Sequence, residues 1–294
     1  MKIETNDVKT AKIWLHFAGF FGCFVIGGIV AAIPRMVMKD TAGLVFLSES
    51  ARIPLTITAF YFYAKYFIKY PLNEIVLDNR HTRIFTWFII ALLFPASTLF
   101  LFYITGNLTL ATPGIDFRLD SVTGLFIWGF GMSLATGVVE EVFVRGYLYN
   151  LFKIKYRSWM AFLIPALFFT ALHLGAVGSF LNVVQLFVAG LLVSFLFTMV
   201  YLYSKSIWNA GIVHAVWNIF FLGKIISFES SSSKLKEAII SFNVGNNDLI
   251  NGGKTGIDCS LPAILVYLSA GIILWILYKR MAGRSLPGQP GPAC

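Results

Sequence analysis

Eight runs of mostly apolar residues divide this chain, at about 13–34, 53–70, 84–106, 121–150, 158–178, 182–203, 206–223 and 261–278. A helix of roughly 20 such residues crosses a hydrocarbon core about 30 Å thick. The chain is 57% hydrophobic and 13% charged, with 29 Phe and 12 Tyr, more apolar surface than one water-soluble core hides. The expected fold is therefore all-α: a polytopic transmembrane helical bundle of about eight spans, forming one integral membrane domain over 1–294. Lys65 falls inside the second run. No segment pairs a short apolar core with a small-residue cleavage site, so the first run is expected to remain as an anchor.

Charge bears on topology more than on partners. The net charge of +9 comes from 23 Lys and Arg scattered singly, without the aromatic-interleaved basic stripe of a nucleic-acid face. Lys65 and Arg145 lie within runs. Eight spans put both termini on one side, with Lys2, Lys9, Lys12, Lys69, Arg80, Arg83, Lys153, Lys155, Arg157, Lys205, Lys279, Arg280 and Arg284. The other side has Arg35, Lys39, Arg52, Arg118, Lys224, Lys234, Lys236 and Lys254. The excess favours cytoplasmic termini. Cys23, Cys259 and Cys294 form no CxxC pair and suggest neither a disulfide framework nor a zinc site. The stretch 224–260 reads as a Ser/Asn/Gly-rich polar loop with a short amphipathic helix at 233–242, and 281–294 as a flexible Pro/Gly-rich tail.

Three charges interrupt the fourth run, in "GVVEEVFVRGYLYNLF" at 137–152. Glu141 and Arg145 are four residues apart, the spacing and order of a helical ion pair. Glu140 lies about 100° around the helix and has no basic residue three or four positions away. A carboxylate at membrane depth is costly and marks a functional site by default. The alternative is that 140–145 lies at the membrane surface, with both acids merely solvated. Two histidines also sit in apolar runs: His173 in "FFTALHLG", and His214 in "GIVHAVWNIF" with Asn218 one turn on. Each alone fits a hydrogen-bonded core histidine as well as a functional one. From the helical rise, Glu140, His173 and His214 lie roughly 15, 22 and 12 Å from the nearer cytoplasmic ends of their runs, one slab of the membrane.

An ionised carboxylate beside a histidine can act as general base on water, while a second histidine and an amide donate to a developing oxyanion. Other ways of cutting a bond within a membrane are poorly represented. The chain has no HExxH, and Ser133 in "GMSLATG" lacks the glycine that a rhomboid-like GxSG needs.

Three ordered motifs, EExxxR at Glu140–Arg145, FxxxH at Phe169–His173 and HxxxN at His214–Asn218, resemble those of the CAAX protease and bacteriocin-processing family, in particular its Ras-converting CAAX prenyl endopeptidase branch. The resemblance covers roughly 121–223. It implies an intramembrane endopeptidase that removes the C-terminal tripeptide from prenylated CAAX proteins. It also implies roles: Glu140 and His173 activate the water, His214 and Asn218 hold the oxyanion, and Glu141, Arg145 and Phe169 support the site. The implied partners are a prenylated CAAX-terminated protein and the lipid bilayer, with the site open to the cytoplasm.

No cofactor is expected. Zinc held by Glu140, His173 and His214 is the alternative, disfavoured because a metal-bound carboxylate could not also be the free base and no fourth acid stands at a fitting position other than Glu141, which is paired with Arg145. Two other functions remain open: processing of a different peptide, as in bacteriocin maturation or immunity, and a non-enzymatic transporter or scaffold with a buried polar relay.

Overall fold

A computed structural model describes residues 10–39, 41–68, 70–111, 119–229 and 238–283. It is an all-α bundle. The helices are α1 (Thr10–Val37), α2 (Ala42–Phe67), α3 (Leu72–Val76), α4 (Ile84–Ile104), α5 (Leu119–Glu141), α6 (Tyr149–Lys153), α7 (Ser158–Ala171), α8 (Phe180–Ser204), α9 (Ile207–Phe221), α10 (Asp248–Asn251) and α11 (Leu261–Gly283). Helices long and apolar enough to cross a membrane are Lys12–Val37, Ile84–Ile104, Asp120–Lys153, Phe180–Ser204 and Leu261–Gly283, so the protein is a multi-pass integral membrane protein. Between α5 and α6 the backbone winds as a π-helix, Val142–Leu148, fully buried along its length. The apolar helices α7 and α9 are shorter, with 14 and 15 residues.

Two helix boundaries differ from the sequence expectation. Helix α2 starts at Ala42 rather than near 53 and so takes in Glu49 and Arg52. It tolerates them because Glu49, 7% exposed, accepts from Arg52 Nη1 at 2.9 Å and from Arg35 Nη1 of α1 at 3.2 Å. Helix α7 stops at Ala171 instead of running to 178; His173 and a 3₁₀ turn over Leu174–Ala176 follow it.

The polar loop is more structured than its composition suggests. Strands β1 (Thr109–Ala111), β2 (Ile226–Glu229) and β3 (Ile240–Asn243) form a small sheet in the order β1-β3-β2, antiparallel and then parallel. The expected helix at 233–242 is therefore corrected to strand over 240–243, while 230–237 and the tail beyond 283 lie outside the described residues. Aromatic side chains explain the strands: Phe228 and Phe242, paired in register, stack at 6.2 Å, and Phe228 also stacks on Phe102 of α4 at 5.4 Å. The single Nε2 of Gln185 in α8, close to the carbonyls of Asp248, Leu249 and Cys259, pins the rest of the loop.

Helix order and these contacts give the bundle two faces. Thr10, Gly283 and the connectors between α2 and α4, α6 and α7, and α8 and α9 lie on one of them. There Arg83 N donates to Asn209 Oδ1 at 2.8 Å, and the Thr82 and Ser206 hydroxyls bond at 2.8 Å. The turn between α7 and α8, the sheet and α10 lie on the opposite face.

Helix α5 packs between α2 and α9, and α8 packs on α11 and α7. The aromatic core joins α1, α2 and the π-segment: Phe143 stacks between Phe24 at 4.7 Å and Phe60 at 5.7 Å. Such offset and stacked pairs add to the area they bury.

Candidate active site

Close approach of α5 and α9 builds the site. A Cβ on Gly137 would lie 2.5 Å from the backbone nitrogen of Ala215, and one on Gly211 would lie 3.4 Å from Val138 Cα. Small residues at a helix crossing let backbones come together. Here they set the last turn of α5, with Glu140 and Glu141, against His214.

Glu141 is fully buried and holds two partners at once. Its Oε1 accepts from Arg145 Nη1 and from His214 Nδ1, both at 2.9 Å. The ion-pair spacing in the sequence therefore corresponds to a bond, but the histidine is an additional partner that spacing could not reveal. The Arg145 guanidinium lies over the rings of Phe169 and Phe197 at 5.7 and 5.6 Å, a desolvated cation–π setting. Phe197 also stacks on His214, at 4.7 Å between centroids. The π-helix leaves carbonyls to be satisfied, and the Asn150 amide donates to Gly146 O at 2.7 Å. π-Segments of this kind recur at functional sites.

These bonds fix the histidine tautomers. A carboxylate only accepts, so the shared proton sits on His214 Nδ1, and the neutral ring has a lone pair on Nε2. That Nε2 faces Glu140 Oε2 at 3.9 Å. His173 is similar: its Nδ1 lies 2.9 Å from Phe169 O, a carbonyl that can only accept, which again frees Nε2. His173 is not inside a helix as the sequence suggests but in the exposed turn after α7, its ring edge-on to Phe169 at 4.9 Å. Gly190 of α8 allows that helix to close on Thr170, one turn before the histidine.

Glu140, Arg145, Phe169, His173, His214 and Asn218 all line one cavity of about 260 Å³. The Asn218 amide is buried, and its Nδ2 has no hydrogen-bond partner among the described residues. The same is true of Arg145 Nη2. The cavity thus presents acceptors (Glu140 and two imidazole nitrogens) alongside unsatisfied donors.

Sequence reasoning missed Asp258. It lines the same cavity and accepts from Trp217 Nε1 at 2.6 Å, which corrects the expectation that no fourth acid other than Glu141 stands at a fitting position. The signal was slight, a lone acid in "GIDCSLP" before the last span.

Among the described residues, no three His, Cys, Asp or Glu side chains gather closely enough to hold a metal ion.

Residues 122–220 match the family model described as type II CAAX prenyl endopeptidase Rce1-like. No curated protein and no solved structure matches the chain. The matched stretch contains all three motifs and every cavity residue they supply, and over it the chain is similar to the type II CAAX prenyl endopeptidases.

Proposed function

We propose that the protein hydrolyses the peptide bond after the prenylated cysteine of a CAAX sequence, with Glu140 as a metal-free general base. The observation that carries this reading is the facing pair Glu140 Oε2 and His214 Nε2, 3.9 Å apart in the cavity. Two acceptors at that separation suit a water that donates one hydrogen to each. Its oxygen attacks the scissile carbonyl as Glu140 takes a proton, the C–O bond forms, and the carbonyl becomes an oxyanion. The Asn218 Nδ2 supplies an unspent donor for that oxyanion. Collapse breaks the C–N bond, and the proton held by Glu140, or relayed by His173 Nε2, passes to the leaving amine.

This reading moves His214 from the oxyanion to the water. With Nδ1–H committed to Glu141, the neutral ring has no second N–H to offer. Glu141 and Arg145 act through His214, fixing its tautomer and orientation.

Sidedness favours a second reading of the substrate. His173 and Asp258 lie toward the face opposite Thr10 and Gly283, and a cavity mouth on that face would stand across the membrane from those helix ends. Prenylated proteins require a cytoplasmic mouth. The Lys and Arg excess near the termini would instead put the mouth outside, where an exported peptide is the substrate.

Incubating the purified protein with a farnesylated CAAX peptide and its unprenylated twin tests the proposal. Tripeptide release from the lipidated peptide alone supports it, cleavage of both favours the second reading, and cleavage of neither refutes hydrolysis.

A further inference from the structure

A second, larger hollow of about 980 Å³ adjoins the cavity, sharing Leu222 and Asp258 with it. Its walls carry polar side chains, Ser179, Asn182, Asp248, Asn251 and Lys254, beside apolar ones such as Phe221, Val244 and Ile257. Along one side run Ile226, Ser227 and Phe228, three successive residues of β2. Successive side chains of a strand point to opposite faces of its sheet. A hollow touching all three therefore runs along the strand's edge, where the main chain is presented. The sheet order β1-β3-β2 makes β2 an edge strand, with no strand on its other side among the described residues. An edge of unpaired N–H and C=O groups is a template for an added strand.

We infer that this hollow is the binding site for the polypeptide upstream of the scissile bond, held as an extended strand antiparallel to β2. The direction follows from connectivity. Leu222 lines the cavity and β2 begins four residues later, so β2 runs away from the reacting centre. A substrate whose C-terminal end enters the cavity runs the other way. Its mixed polar and apolar lining and its size, at the upper end of the range for ligand clefts, suit an extended peptide, whose polar main chain alternates with side chains of either kind. Main-chain recognition makes binding tolerant of upstream sequence while demanding an extended conformation.

This inference rests on the hydrolytic reading for the direction of the peptide, but its test does not need turnover. Fluorescent farnesylated peptides that share one C-terminal tripeptide and carry one, three, five or seven residues upstream of the cysteine are titrated against Glu140→Gln protein, and cleaved by the unaltered protein. Affinity is expected to rise roughly 10-fold between one and five residues and then level off, from a few net hydrogen bonds. In kinetics KM falls by the same factor and kcat stays unchanged. N-methylation of every second upstream amide is expected to abolish the gain in one register and leave it in the other, because antiparallel residues alternate between bonded and non-bonded positions. Length-independent affinity, or equal losses in both registers, overturns the inference. Failure of the unaltered protein to cut any peptide refutes hydrolysis alone.

Discussion

Glu140 and Glu141 are neighbours with different physical situations. Glu141 is fully buried and bonded to Arg145 and His214, whereas Glu140 opens on the cavity. Glu140→Gln keeps the shape, loses the base, and is expected to abolish turnover in a discontinuous peptide assay while the protein remains folded. Asn218→Ala is expected to lower kcat about 10²-fold with little change in KM, the signature of a donor used only in the transition state; a pure KM effect would make it a binding residue. Arg145→Ala or Glu141→Ala leaves a buried charge without its partner, at about 3–5 kcal/mol. Thermal unfolding of both singles and the double should show the double losing less than their sum by about 0.5–3 kcal/mol, and additive losses would show that the pair does not act as a unit. The residues that motif spacing can reach were legible in the sequence: Glu140, Glu141, Arg145, Phe169, His173, His214 and Asn218 all line or support one cavity. The bond between Glu141 and His214 spans 73 positions, and that of Asp258 with Trp217 spans 41. No local rule joins residues so far apart.

At the scale of elements, the α5–α9 crossing decides whether the site exists. Gly137→Ala puts a methyl against the backbone of Ala215, and rigid backbone can yield only by parting the helices. The expected cost is about 1–3 kcal/mol, with a loss of activity larger than that stability change alone would cause. Gly28→Ala, where a Cβ meets open space, is the control and should leave both unchanged. Equal behaviour of the two variants in thermal unfolding and turnover would remove the crossing from the argument. Apolar length located the helices well because it is what the membrane selects. It misplaced the start of α2, since charges that neutralise each other, as Glu49 does with Arg35 and Arg52, look in sequence like a loop. It also carried α7 past Ala171, because the turn holding His173 is apolar too. The sheet was illegible for a related reason: its strands are three or four residues long and are held by aromatic pairs from different parts of the chain.

For the whole molecule, the two faces give a test that needs no substrate. Lys155→Cys and Lys254→Cys, each made in a Cys23→Ser, Cys294→Ser background, stand on exposed sites at opposite ends of the bundle, and the remaining native Cys259 is buried. In sealed vesicles of one orientation, an impermeant maleimide is expected to label one variant and not the other, and labelling of Lys254→Cys from the cytoplasmic side would favour the prenylated substrate. Equal labelling of both would break the two-faced arrangement. The short helices have a further consequence. The 14 residues of α7 and 15 of α9 rise only about 21 and 23 Å, less than the hydrocarbon thickness of about 30 Å. Helix α9 is wrapped by its neighbours, but α7 exposes Trp159 and Leu167, and lipid against a short span is accommodated by local thinning. Headgroups and water drawn toward His173, just past the end of α7, would hydrate the cavity along the lipid rather than through a pore. Turnover in such a site slows as the acyl chains of the surrounding lipid lengthen.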